Sequence, residues 1–198
     1  MDSLVITATS IVTGDDVRTA RLGPRFGRMD LMSQLALLAV ESLGVNFDPL
    51  PRERIAICLA ARTGSLATDA EYWKGRDAVG GLSPTLFTYT LPSAAIGEIA
   101  IRHRLTGPNL CFVGGSQDVL PEAAELLRRG EADGCVCVFV NVVVPALEQL
   151  ISLPPAAEAS AIFLQRDAPM SAILRELGEF DRDMASLCAS LRAHEPTK

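Results

Sequence analysis

Ser116 stands in a turn whose residue types could do chemistry. The apolar run Asn109-Leu-Cys-Phe-Val113 is followed by Gly114, Gly115, Ser116 and Gln117, and then by a helical pattern from Asp118 to Arg129. A strand that closes in small residues at a helix start presents the next side chain in an exposed turn at the positive end of that helix. Backbone amides there can polarise a carbonyl. A serine hydroxyl attacks an acyl group only with a base beside it. The ionisable groups near in sequence are Asp118 and Glu122, and neither His103 nor His194 is close. Gly-Gly-Ser-Gln-Asp also departs from the Gly-x-Ser-x-Gly nucleophile elbow, because Asp118 stands at the last glycine. The pattern allows a serine nucleophile for acyl transfer or thioester hydrolysis. Its plainer use is a small polar residue capping the next helix.

The other candidate groups point away from metal chemistry. Cys58, Cys111, Cys135, Cys137 and Cys188 have no metal-ligand spacing, so no metal or cofactor is expected. Four lie in strand-like stretches and Cys188 in an apolar helical pattern, which suits buried thiols acting as small hydrophobes. Reduced thiols predict a cytoplasmic protein. Asp2 and the lack of a basic leader make the start read as a first strand rather than a signal peptide. The longest apolar run, Cys135 to Leu147, is interrupted by Asn141 and Pro145 and is too short to cross a membrane.

A chain of 198 residues, 48% hydrophobic and 21% charged, can bury one sizeable core. Its net charge of -6 argues against a nucleic-acid surface, which needs a basic stripe. Short basic groups, Arg102/Arg104 and Arg128/Arg129, suit helix ends and would also suit an acidic carrier protein.

The elements that must position Ser116 follow from periodicity. Strands are predicted at 4–8, 54–60, 109–113, 134–144 and 159–165. Helices are predicted at 29–43, with Gly44 past its end, at 65–74 with Ser65 as cap, and at 93–105 and 118–129. Residues 9–28 and 75–92 read as irregular connections, 171–177 as ambiguous, and 181–193 as a terminal helix before a frayed tail. Alternating strands and helices predict an α/β fold with a mostly parallel sheet of about five strands. The division is 1–178 for the domain and 179–198 for the final helix and tail.

Several segments, in order, resemble the N-terminal half of the β-ketoacyl synthases. Arg28-Met-Asp-Leu-Met-Ser-Gln-Leu-Ala-Leu-Leu-Ala39 is similar to that family's early helix, and Gly64-Ser-Leu-Ala-Thr-Asp69 to the loop after its second strand. Ser83-Pro-Thr-Leu-Phe87 with Leu91-Pro-Ser-Ala-Ala-Ile-Gly97 resembles the segment before the family's Gly-Pro-Asn turn, here Gly107-Pro-Asn109. Ala123 to Asp133 and Ala159-Ser-Ala-Ile-Phe-Leu-Gln165 resemble the helix and the strand that follow the nucleophile.

The resemblance implies a thiolase-like half fold and places Ser116 where the family has its nucleophilic cysteine. The histidines of the condensing reaction belong to the family's second half, for which this chain is too short, and His103 and His194 do not match them by position. The implied role is a degenerate subunit similar to a chain-length factor, not a condensing enzyme by itself, in a fatty-acid, polyketide or aryl-polyene type pathway. Implied partners are a second copy or a full-length ketosynthase, with an acyl carrier protein. The implied interface is the strand Asn109, Leu110, Cys111, Phe112 and Val113. Phe87, Tyr89 and Gln117 are the acyl-pocket candidates. A serine-dependent acyltransferase or thioester hydrolase and a homodimeric acyl-binding module stay open beside it.

Overall fold

In a computed structural model, which describes residues 3–77 and 81–167, five strands form one sheet. The strands are β1 Ser3–Thr13, β2 Ile55–Ala61, β3 Asn109–Val113, β4 Gly134–Val143 and β5 Ala156–Asp167. Their order across the sheet is β1-β5-β4-β2-β3. β2 pairs in parallel with β3 and β4, whereas β5 pairs antiparallel with both β4 and β1. Four strands therefore run one way and β5 runs against them. The sheet is mixed in its pairings and mostly parallel in strand direction.

The helices are α1 Gly14–Thr19, α2 Leu31–Ser42, α3 Leu66–Lys74, α4 Pro84–Phe87, α5 Ala94–His103, α6 Val119–Arg128 and α7 Pro145–Ile151. α2 and α5 cover one face of the sheet, where Leu35, Ala36, Ile99, Ile57, Leu59, Val136 and Val138 are buried together. α6 covers the other face, where Val119, Ala123 and Leu127 meet Ala56, Cys58, Cys135 and Cys137. Helices on both faces explain why every residue of β2 and β4 is buried, so that neither strand shows the alternation of a one-sided sheet.

Local chemistry sets the joints. Asp30 caps α2: one carboxylate oxygen accepts the Ser33 N–H at 3.0 Å and the other accepts the Thr68 hydroxyl at 2.6 Å, which ties α3 to α2. Gly44 has φ +64 just beyond α2, the left-handed position that glycine fills at little cost. Ser65 stands at the cap position of α3, but its hydroxyl donates to the Thr90 carbonyl at 2.7 Å instead of capping the helix.

The predicted elements differ from the structure mainly at their ends. β1 continues to Thr13 and α1 follows, within a stretch that reads as irregular from its polar composition. Ser10 explains the disguise: it is buried against α2 and donates its hydroxyl to the Ala39 carbonyl at 2.6 Å. α4 interrupts the predicted 75–92 loop, and β5 starts at Ala156. The predicted features at 171–177, 181–193 and the tail, with Cys188 and His194, lie outside the described residues.

Candidate functional site

The Ser116 turn is built from three glycines and a strand edge. At Gly107 a Cβ would lie 2.3 Å from the Ile55 carbonyl oxygen, so only glycine lets the chain pass β2 this closely. The Pro108 carbonyl then accepts the Ile57 N–H at 2.9 Å, and β3 runs beside β2 in the register Ile57 to Asn109 through Ala61 to Val113. Gly114 turns the chain off the sheet at φ +134, with its N–H on the Ala61 carbonyl at 3.0 Å. A Cβ on Gly115 would stand 2.0 Å from the Gln117 side-chain oxygen, because Gln117 folds back over this backbone.

Ser116 opens a 3-10 turn, Ser116–Asp118, that leads directly into α6. It lies at the carboxyl end of the parallel strands, where open α/β sheets place their ligands. One detail differs from the sequence reading: the turn is not exposed at Ser116, which is only 6% accessible. The cap positions are Gly115 for the 3-10 turn and Asp118 for α6, and neither carries a side-chain cap bond.

Of the groups considered for activating Ser116, Asp118 and Glu122 are exposed. His103 ends α5, on the opposite face of the sheet from α6, with its ring edge against Phe47 at 5.2 Å. Burial lowers the His103 pKa from its ordinary value, with Glu41 opposing and Arg102 and Arg52 assisting, so its imidazole is neutral at pH 7. The arrangement offers a buried hydroxyl at the entrance to α6, with His103 on the other face of the sheet.

Sequence reading missed a polar group on the same face and at the same end of the sheet. Asn141 on β4 donates its side-chain amide to Glu158 on β5 at 3.0 Å. Ser160, also buried, lies beside them, and neither its hydroxyl nor the Asn141 side-chain oxygen has a hydrogen-bond partner among the described residues. The signal was present: Asn141 breaks an otherwise apolar run.

The acyl-pocket candidates do not converge. Phe87 is 59% exposed on α4 and packs its ring near Tyr72 at 5.5 Å. Tyr89 is buried in the α2/α5 core, where its hydroxyl donates to a Glu98 carboxylate oxygen at 3.0 Å. Burial first, and Glu98 second, push its pKa up to about 12. Arg25 grips the same carboxylate at 2.7 and 3.0 Å, so Tyr89 belongs to a structural cluster. Gln117 is exposed at the β3–α6 turn.

The interface candidates do form one feature. β3 is an edge strand, with the backbone edge away from β2 unpaired in the sheet. Asn109, Cys111 and Val113 are exposed, while Leu110 and Phe112 turn partly inward against the α6 core. Val113 is 68% exposed, and it and Pro92 both border Gly64, each 3.4 Å from where a Cβ would stand there. Leu91, next to Pro92, is also exposed, so an apolar rim continues from the edge. Cys111 departs from the buried-thiol expectation. Cys58, Cys135 and Cys137 meet it, with their sulfurs in a chain at 3.6 and 3.9 Å. The Cys135 hydrogen bond first and burial second push the Cys58 thiol up; burial leads for Cys135. Both stay protonated. Among the described residues no group of His, Cys, Asp and Glu has the geometry of a metal site, and no helix is long and apolar enough to cross a membrane.

Comparison with known proteins agrees with this geometry. Residues 13–151 match the family described as beta-ketoacyl synthase, N-terminal domain. Nothing matches among the curated proteins. A solved structure titled the ishigamide ketosynthase/chain length factor superposes with a TM-score of 0.70 at 20% identity, covering 85% of this chain and 63% of that one. The ketosynthase ApeO in complex with its chain length factor ApeC, from Xenorhabdus doucetiae, gives 0.66 at 18% identity, covering 85% and 80%. A type II polyketide synthase acyl-carrier protein in complex with its ketosynthase, AntDE:AntF, gives 0.69 at 15% identity, covering 84% and 63%. The chain thus spans less than two thirds of the length of the first and third of these. At such identities the likeness establishes the shared fold.

Proposed function

The chain belongs to the β-ketoacyl synthase family, and from that premise we propose that it is a non-catalytic, chain-length-factor-like subunit that docks through β3 onto a ketosynthase-like chain. The observation that carries the proposal is the pairing of an open β3 edge with a nucleophile position occupied by a buried serine. Condensation needs a group that attacks an acyl thioester at neutral pH and is then readily displaced from the acyl-enzyme. A thiol near a helix N-terminus meets both needs, whereas an alcohol is far less acidic and a poorer leaving group. The one described histidine, His103, faces the other side of the sheet.

Docking is favoured by the composition of the edge. Natural edge strands are guarded against pairing by lysine, proline or inward charge. Asn109-Leu-Cys-Phe-Val113 has none of these, and its exposed side chains join the apolar rim at Pro92 and Leu91. The partner is a second copy or a full-length ketosynthase of a fatty-acid, polyketide or aryl-polyene type pathway, and an acyl carrier protein serves the assembled pair. The comparisons that include chain length factors and a carrier protein support this choice of partners.

The test is affinity purification of the tagged full chain from its native host, with bound proteins identified by mass spectrometry, alongside sedimentation of the chain alone. Recovery of a ketosynthase, or a self-dimer, supports the proposal. A monomer that recovers neither contradicts it.

A further inference from the structure

The face of the sheet opposite Ser116 carries a second concave site that the ketosynthase-like reading leaves unused. The segment after α2 and the carboxyl end of α5 border an open hollow of about 380 Å³, lined among others by Phe47, Asp48, Arg52, Arg102, His103 and Arg104. Its volume falls within the roughly 300–1,000 Å³ of small-molecule sites. Three guanidinium groups on one cavity are conspicuous in a chain of net charge -6.

Two of these arginines are held in place by neighbours. Arg52 pairs with Asp48 and lies over the Phe47 ring, 6.0 Å from its centre. Arg102 donates from Nε to a Glu41 carboxylate oxygen at 2.7 Å. A guanidinium has five N–H donors in a fixed fork, and each of these bonds employs one donor group, so oriented donors are left for a ligand.

Arg104 is different. It occupies the left-handed position that ends α5, with φ 56 and ψ 36, where glycine would fit without strain. It has no carboxylate partner among the described residues. Beside it the buried Nε2 of His103, 3.5 Å from Glu41, has no hydrogen-bond partner among the described residues.

Charge alone does not define the ligand. Arg52, Arg102 and Arg104 exceed Asp48 and Glu41 by one, and part of that excess offsets the carboxyl-end dipole of α5. Recognition must then come from directional donors. Planar forks match the paired oxygens of phosphate groups and give a monatomic anion no such advantage. We propose that this cavity binds a phosphate-bearing small molecule, held by Arg52, Arg102 and Arg104 with His103 at its side.

The probe is inorganic pyrophosphate, titrated into the full-length chain at low ionic strength and followed by the His103 ring resonance and the melting temperature. The chain has two histidines, so the reporter is readily assigned. A saturable His103 shift with a rise in melting temperature is expected. Arg104→Gly suits the local backbone, and loss of one charged donor should weaken binding about tenfold or more. Arg129→Ala, on α6's side, should leave binding unchanged. Three results would each overturn the proposal: no saturable shift, equal binding by Arg104→Gly, or the same response to sodium chloride of matched ionic strength. Vesicles containing phosphatidic acid form the second arm. Binding of pyrophosphate alone assigns a soluble ligand, and binding of vesicles alone overturns the small-molecule reading.

Discussion

Replacing Val113 by lysine should separate assembly from folding. Val113 ends β3 with 68% of its surface open, so within one chain it has little to lose. Complete burial of an aliphatic side chain contributes about 1.5–3 kcal/mol. The exposed two thirds of Val113 would then forfeit about 1–2 kcal/mol per chain if a partner covers it. A twofold pair contains the residue twice and would lose about 2–4 kcal/mol, which at 1.4 kcal/mol per decade weakens it about 30- to 700-fold. A pair with a different ketosynthase-like chain loses one copy, about 5- to 30-fold. A lysine added to an unpaired edge also repels its symmetry mate and carries a charge into the contact. Folding of the single chain should change by no more than about 0.5 kcal/mol, as for an ordinary surface substitution. Sedimentation velocity over a concentration series measures the first quantity and urea unfolding the second. Ile101→Lys, on α5 and 60% exposed, is the control for a general effect of added charge. If Val113→Lys keeps the wild-type dissociation constant while Ile101→Lys weakens it, β3 is not the docking edge.

Two further outcomes follow from the same structure. Gly107→Ala drives a methyl group into the Ile55 carbonyl, 2.3 Å away, and should destabilise the fold by about 3 kcal/mol or more in urea unfolding, since backbone on both sides must move. His103 titrates with the opposite sign to a salt-bridged histidine. Its folded pKa is depressed by burial, so the unfolded chain binds the proton first. Stability should therefore fall as pH drops from about 6.5 and level off below the folded value. His103→Phe should flatten that part of the profile in thermal melts, and an unchanged profile would remove His103 as its cause.

The framework around Ser116 was legible because its signals are local. Val136 and Val138 alternate with Cys135 and Cys137 on a strand covered from both sides, and Gly107-Pro-Asn109 marks the entry to β3. The end of β1 was hidden because Ser10 looks like a loop residue until α2 supplies the carbonyl it bonds. Tyr89 looks like a pocket aromatic until Glu98 and Arg25 arrive from α5 and from the segment before α2. The burial of Ser116 is also a tertiary result. Two glycines predict openness, and the structure instead folds Gln117 back over Gly115 and packs the turn against the end of the sheet.

We propose that Ser116 holds the nucleophile's place without its chemistry. Intact-mass spectrometry of the full chain after incubation with acyl thioesters, of coenzyme A and of an acyl carrier protein, tests it most directly. An unmodified mass is expected for the wild type and for Ser116→Ala alike. A wild-type acyl adduct that maps to Ser116 and disappears in Ser116→Ala would contradict it.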